Sequence, residues 1–455
     1  MPITASMGAL AVSKVVPLSY NHWYMQVDGT TLTDITFDND NNFYVMGQPW
    51  YILKFIERPF PSVLWEKSYS ARLGPNTNGA IKYNSYLDVM NFVGSYHSKE
   101  YAFYPYYNTI CGGVGTIDKT TGAIATMIED TGAGYASGNN RRNKTPVDCV
   151  INPSNGEFYI LGIDNNIDQY PPVGRSIVYL RRNAAANSAT SIAADDFQYD
   201  LGVADYSPSA STVLLASDYN PIVLATLIDN SATPHKVIIM KANNTLSGTP
   251  PNVWMPIIWK RKLSLTSTLV AGRMCIDSSD NLYLTVNDTS SHISYIVKYD
   301  GTGALQWQRK ITNVTLNDIQ VDSSGIYAVG YNTSNNMYAV RYDDTGSLIW
   351  QRKMTGFTFN AVKLAIYDSN LYIAGSATSN GFVVKLPTDG SIPGTGSYIV
   401  GATTLVYSAD SKSETSGNLI DATATDPPVY HYELTQASVA YSAATLSIRT
   451  PVVNL

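Results

Sequence analysis

The chain has 455 residues, 44% of them hydrophobic and only 15% charged, with a net charge of −6. That balance argues against a partner held through its phosphate backbone, which needs clustered Lys and Arg to release counterions, so no nucleic-acid partner is expected. No run approaches the apolar length of a membrane-spanning helix, and three cysteines without CxxC spacing argue against a disulfide framework or a zinc site.

In chain order, residues 1–20 carry a modest apolar stretch with no basic region ahead of it. They are expected to be an N-terminal arm and not a secretory signal. Residues 23–35 read WYMQVDGTTLTDI and match residues 307–319, WQRKITNVTLNDI, without a gap. Trp23 therefore reads as an outer strand with no blade of its own before it. The turn-plus-strand DNDNNFYVMG (Asp38–Gly47) follows, then an outer-strand run at Trp65. A first degenerate unit spans roughly 86–130, with YLDVMNF as its inner strand, and contains the stretch Tyr101-Ala-Phe-Tyr-Pro-Tyr-Tyr107. NPSNGEFYILG (Asn152–Gly162) repeats the turn. A second degenerate unit spans about 205–262 and ends on Trp259. DSSDNLYLTV (Asp277–Val286) leads into the two clearest copies, which begin WQRK at Trp307 and Trp350, 43 residues apart. That period is the one propeller blades show.

Counting inner apolar strands near residues 34, 87, 148, 212, 273, 318 and 362 gives seven units. No segment sustains a 3.6-residue period, so the class is all-β. The expected fold is a seven-bladed β-propeller of four-stranded antiparallel blades over 21–386. In it the N-terminal strand at 21–30 completes the last blade and protects edges that would stay open. Residues 387–455 are expected to be a C-terminal extension, an assembly arm. Its apolar residues Val429, Tyr430, Tyr432, Leu434, Val439, Leu446 and Ile448 lack a core of their own and would order on a neighbouring subunit.

Chemistry is not indicated. Asp38, Asp40 and Asn42 mimic the opening of a calcium loop, but Phe43 replaces the loop glycine and Pro49 the closing Glu, so a hairpin turn is expected. The five histidines are scattered, and no nucleophile-elbow G-x-S-x-G occurs. Cys149 and Cys275 read as small buried residues. No catalytic, cofactor-binding or metal-binding residue is predicted, and no cofactor. Trp23, Trp65, Trp259, Trp307 and Trp350 are read as structural repeat residues packing between blades. Tyr104, Tyr106 and Tyr107 are either an aromatic platform for a partner or rings packed inside an irregular blade.

The phrases KYDGTGALQW (298–307) and RYDDTGSLIW (341–350) resemble the tryptophan-docking pattern of pyrroloquinoline-quinone-type propeller repeats. In that family a Trp packs between neighbouring blades; the likeness covers three or four units here and speaks to architecture. The Gly-x-Ile/Leu-x-Trp-x-Arg repeats, with an Asn/Thr/Tyr/Gly-rich and charge-poor composition, are also similar to propeller modules in tail proteins of bacteriophages. That resemblance implies a non-enzymatic tail component of the virion, assembled in the host cytoplasm. Its partners would be other virion proteins in a symmetric assembly and, at the host surface, a glycan or protein. Two alternatives stand beside it: a bacterial surface or secreted propeller that binds glycan or protein, and a quinone-type oxidoreductase.

Overall fold

Short runs of β-branched and aromatic residues alternate with turns bearing Asp, Asn and Gly, and each run forms an antiparallel strand. The computed structural model describes residues 12–19, 22–48, 51–57, 61–68, 79–98, 109–130, 142–166, 175–183, 195–199, 209–227, 235–244, 247–249, 252–254, 256–400 and 402–423. Among them there is no helix, and so none long and apolar enough to cross a membrane.

The strands pair into sheets that follow one another along the chain. Thr31–Phe37, Asn42–Gln48, Tyr51–Glu57 and Pro61–Ser68 form the Trp65 sheet. Ala80–Asn84, Val89–Ser98, Thr109–Ile117 and Ile124–Asp130 form the next, then Arg142–Ile151, Phe158–Asn166, Arg175–Asn183 and Asp195–Tyr199. The Trp259 sheet comprises Ser209–Leu215, Pro221–Leu227, Lys236–Ala242 and Ile257–Ser264. Leu269–Ile276, Leu282–Asp288, Ile293–Tyr299 and Leu305–Thr312 make the Trp307 sheet. Val314–Asp322, Gly325–Asn332, Met337–Tyr342 and Leu348–Thr355 make the Trp350 sheet. Phe359–Tyr367, Asn370–Ala377 and Asn380–Pro387 lack a downstream fourth strand. Their outer strand is His22–Val27, with Trp23 opposite Lys385.

The first strand of each sheet lies against the first strand of the next, and Phe359–Tyr367 returns to Thr31–Phe37. The ring is closed, and the fold is an all-β propeller. Apolar clusters fill the spaces between successive sheets. One of them joins Trp23, Phe43 and Phe55 to Tyr372 and Val383, across the junction that the N-terminal strand completes.

Six of the inner strands share a bulge, for example between Leu32 and Asp34, between Leu316 and Asp318, and between Ala361 and Lys363. The recurring Tyr-x-x-Gly of the second strand answers it. A Cβ on Gly330 would sit 1.8 Å from the Thr315 carbonyl oxygen, and one on Gly375 2.1 Å from that of Asn360. Only glycine fits where the bulged backbone comes so near.

Two expectations need correction. The inner strand of the second sheet is Ala80–Asn84, and the YLDVMNF run spans the turn and the start of the second strand, Val89–Ser98. The Asn84 side chain accepts from the amides of Tyr86 and Leu87, both at 3.1 Å, which bends the chain where a strand was read. The C-terminal extension, in its described part, does not await a neighbour. Thr403–Ala409 pairs with Leu348–Thr355, Glu414–Ser416 with Leu305–Thr312, and Ile420–Thr423 with Ile257–Ser264. Ser397–Val400 adds a strand outside the first of these. The segment runs back over three outer edges of its own propeller, because those edges offer unpaired backbone groups close at hand.

Candidate functional site

The bulge places the following side chain of several inner strands toward the axis, and the residues found there are charged. Asp34, Asp148, Arg273, Asp318 and Lys363 occupy corresponding repeat positions, and Lys82 joins them from the second sheet. Asp34 meets Lys82 at 3.2 Å and Lys363 at 3.3 Å, while Asp148 meets Arg273 at 3.0 Å. Each carboxylate also reaches the neighbouring sheet. The Ile81 amide donates to Asp34 at 2.9 Å, Val213 to Asp148 at 3.2 Å, and Leu364 to Asp318 at 2.8 Å.

These carboxylates act as clips between adjacent inner strands, and three cations offset their three charges. Burial alone raises a carboxyl pKa. At Asp34 the cations Lys363, Lys82 and Arg273, with the Ile81 amide, outweigh it and hold the group down to about 2. At Asp318 burial prevails over Lys363 and Arg273 and the pKa is raised. Burial also lowers Lys363, helped by nearby Arg273. The cluster is a buried network whose charges are used on one another.

A second constellation recurs on the face of the hairpin turns. The indole N–H of Trp65 donates to the Lys119 carbonyl at 3.1 Å, Trp259 to Gly301 at 3.3 Å, Trp307 to Asp344 at 3.0 Å, and Trp350 to Thr388 at 3.2 Å. Every acceptor lies in a turn of the next sheet. Gly122, Gly303, Gly346 and Gly390 in those turns have φ between 68° and 79°, and a Cβ there would meet the indole within 3 Å. Arg352 adds a donation to the Gly390 carbonyl at 2.6 Å while its guanidinium lies over Trp350. Trp23, fully buried, donates to Glu57 of the Trp65 sheet at 3.2 Å.

The third feature is the strap, Thr403–Thr423. The glutamine of each Trp-Gln-Arg-Lys copy grips its backbone with both ends of the side-chain amide. Gln351 Nε2 donates to the Lys412 carbonyl at 3.0 Å, and its Oε1 accepts from the Lys412 amide at 2.7 Å. Gln308 does the same to Leu419 at 2.9 and 2.8 Å. The strap's acids face the basic residues of the same repeat: Asp410 lies 3.6 Å from Lys353, Glu414 3.5 Å from Arg309, and Asp421 3.8 Å from Arg261. Tyr299 donates to Asp421 at 2.8 Å and Tyr295 to Asn418 at 3.0 Å.

Of the residues singled out from sequence, the five tryptophans lie at sheet junctions as described. Tyr104, Tyr106, Tyr107, Val429, Tyr430, Tyr432, Leu434, Leu446 and Ile448 lie outside the described residues. Asp38 folds its turn: it accepts from the Asp40 and Asn42 amides, both at 2.9 Å, and from Tyr44 Oη at 2.8 Å. Among the described residues no group of three His, Cys, Asp or Glu is placed to hold a metal ion. Cys149 and Cys275 are buried free thiols, and burial raises the pKa of both. The axial cluster and the two glutamine clamps were missed. A charged residue recurring one position after a bulge in otherwise apolar strands was the signal for the first; nothing local marked the second.

No family model matches the chain, and no curated protein matches it. Solved structures similar to it include the WD40 beta propeller domain of Doa1, at 10% identity and a TM-score of 0.40, over 83% of this chain and 97% of that one. YCF48 bound to D1 peptide is similar at 10% identity and a TM-score of 0.40, over 83% of this chain and 100% of that one. The Hadza microbial sialidase Hz136 is similar at 8% identity and a TM-score of 0.41, covering 76% of this chain and 73% of that one. Likeness at this level assigns no activity.

Proposed function

We propose that the chain is a non-enzymatic structural or attachment component of a bacteriophage tail, a rigid seven-bladed disc that displays loops and takes its place among other virion proteins in a symmetric assembly. The observation that carries the rigid, non-catalytic part is the axial cluster. Its six ionisable groups are offset against one another and clip adjacent strands, so they serve cohesion and not turnover. The run of inner strands round the axis supports a count of seven blades. The docked tryptophans support kinship with tryptophan-docking repeats. A charge-poor composition rich in Asn, Thr and Ser supports life as a contact surface, since uncharged polar groups lose little on being buried against a partner.

In this reading 21–386 is the disc and the C-terminal extension fastens to it, with further contacts to neighbours made by displayed loops. The connections at 99–108, 167–174 and 228–235 each follow a second strand and precede a third, and we take them as the displayed loops.

The test is to encode an epitope-tagged copy in the producing phage and purify particles on a density gradient. The tag is expected in intact particles at fixed stoichiometry to the tail, with the host receptor or tail partner recovered by cross-linking from loops 99–108 and 167–174. Particles that assemble and infect without the chain, with the tagged protein free in the lysate, would overturn the reading.

A further inference from the structure

The strap has a pitch. Arg352 stands opposite Ala409, Arg309 opposite Ser416, and Arg261 opposite Thr423. The three arginines belong to the Trp-x-Arg-Lys outer strands of three successive sheets, and their partners are spaced by seven residues each time. The two glutamine clamps repeat the spacing, with Lys412 and Leu419 again seven apart. The facing residues are Ala, Ser and Thr, so the pitch is set by backbone pairing and by the distance between sheet edges; seven extended residues cover roughly 23 Å.

The strap travels against the order of the sheets. Beyond Thr423 the next outer edges in that direction are Asp195–Tyr199, Ile124–Asp130 and Pro61–Ser68, and no added strand pairs with them among the described residues. Asn252–Trp254 lies against the first without pairing to it. The remaining sheet is already covered, since Val12–Ser19 pairs with His22–Val27. Among the described residues three edges are left, and three more steps of seven fall at Tyr430, Ala437 and Ala444.

We propose that the rim of this propeller is a strand-acceptor ladder with a pitch of seven residues, and that residues 424–455 of the same chain occupy its remaining three edges. Bare outer strands template association with other chains, and covering them removes that hazard. A seven-residue pitch also states what the acceptor reads: an extended backbone delivered in phase, with acids where an edge carries Arg or Lys and little demand on other side chains.

Hydrogen exchange on the full chain and on a chain ending at Thr423 tests this. Removing 424–455 is expected to speed amide exchange in Asp195–Tyr199, Ile124–Asp130 and Pro61–Ser68 by roughly tenfold or more, leaving Leu348–Thr355 unchanged. A full-length variant with one glycine inserted after Thr425 guards against misfolding of the shortened chain. It shifts the phase by one residue and turns away from each edge the backbone N–H and C=O groups that had met it, so it should expose the same three edges. If neither change alters exchange there, the proposal fails. If the protection in the full chain vanishes on dilution, a second copy is the occupant and the proposal fails equally.

Discussion

Replacing Gln308 by Ala removes a side chain whose two ends hold the amide and carbonyl of Leu419, at 2.8 and 2.9 Å. Leu419 is 4% exposed, so water does not readily take the place of either bond. A typical intramolecular hydrogen bond contributes about 1 kcal/mol net, and a buried group left without a partner costs about 1–3 kcal/mol. Two such groups give a loss of about 2–6 kcal/mol, with the strap as the first element to let go. Equilibrium urea unfolding, with hydrogen exchange at the Gly417 and Leu419 amides, measures both. Gln306→Ala is the control, because its side chain bonds to Asp300 at the surface and its loss should stay within about 0.5 kcal/mol. Gln351→Ala should cost a similar amount to Gln308→Ala. The double variant should lose less than the sum, since both clamps hold one continuous strap. If Gln308→Ala proves no worse than Gln306→Ala, the clamp is not what holds the strap and the reasoning is refuted.

Gly346→Ala puts a Cβ 2.9 Å from the Trp307 ring at a φ of 78°, and should cost about 2 kcal/mol or more, seen as a lowered urea midpoint with unchanged slope. Asp34 titrates near 2 in the fold against 3.8 as a free side chain. Its contribution, about 2 kcal/mol, is therefore present above pH 4 and lost as the pH falls through about 2. Asp34→Asn should be less stable than the parent by that order at pH 7 and converge with it at pH 2, in unfolding curves taken across that range. Deleting residues 1–27 removes the outer strand that carries Trp23, and should leave the Asn380–Pro387 edge open. Concentration-dependent association in light scattering, with lost protection at Phe382 and Val384, is the expected result.

The sequence displayed its repeat best where copies kept Trp-Gln-Arg-Lys and the glycine turn, because those residues serve the same contact in both copies: indole on turn, guanidinium on carbonyl. Trp23 could be aligned through the Thr-Leu-x-Asp-Ile that follows both it and Trp307, although the strand that joins it to its sheet, Asn380–Pro387, lies more than 350 residues away. The second inner strand was misplaced because Ala80–Asn84 is short and an Asn-capped turn follows it, while the apolar YLDVMNF run imitates a strand. The axial cluster was visible only as odd charges in apolar strands. Which Asp meets which cation depends on the closing of the ring, which no local window contains. The strap was least legible of all. Its partners are backbone groups, so Ala409, Ser416 and Thr423 share a role without sharing a side-chain type.

The pairing of His22–Val27 with Asn380–Pro387 fixes an order of events during synthesis. A strand made among the first has only its hairpin mate Val12–Ser19 until its sheet is made some 350 residues later, which at ribosomal rates of about 5–20 residues per second is a wait of about 20–70 s. Intermediate sheets can form hairpin by hairpin in that interval, but the ring cannot shut, and Trp23 has no junction to enter. The nascent chain thus passes through an open crescent with a sticky edge at each end, and the last step of folding joins its two ends. A cell that makes this protein must shelter that crescent from its neighbours on the polysome. Slowed translation or lost chaperone capacity should therefore show first as insoluble partial chains, well before the finished disc loses any stability.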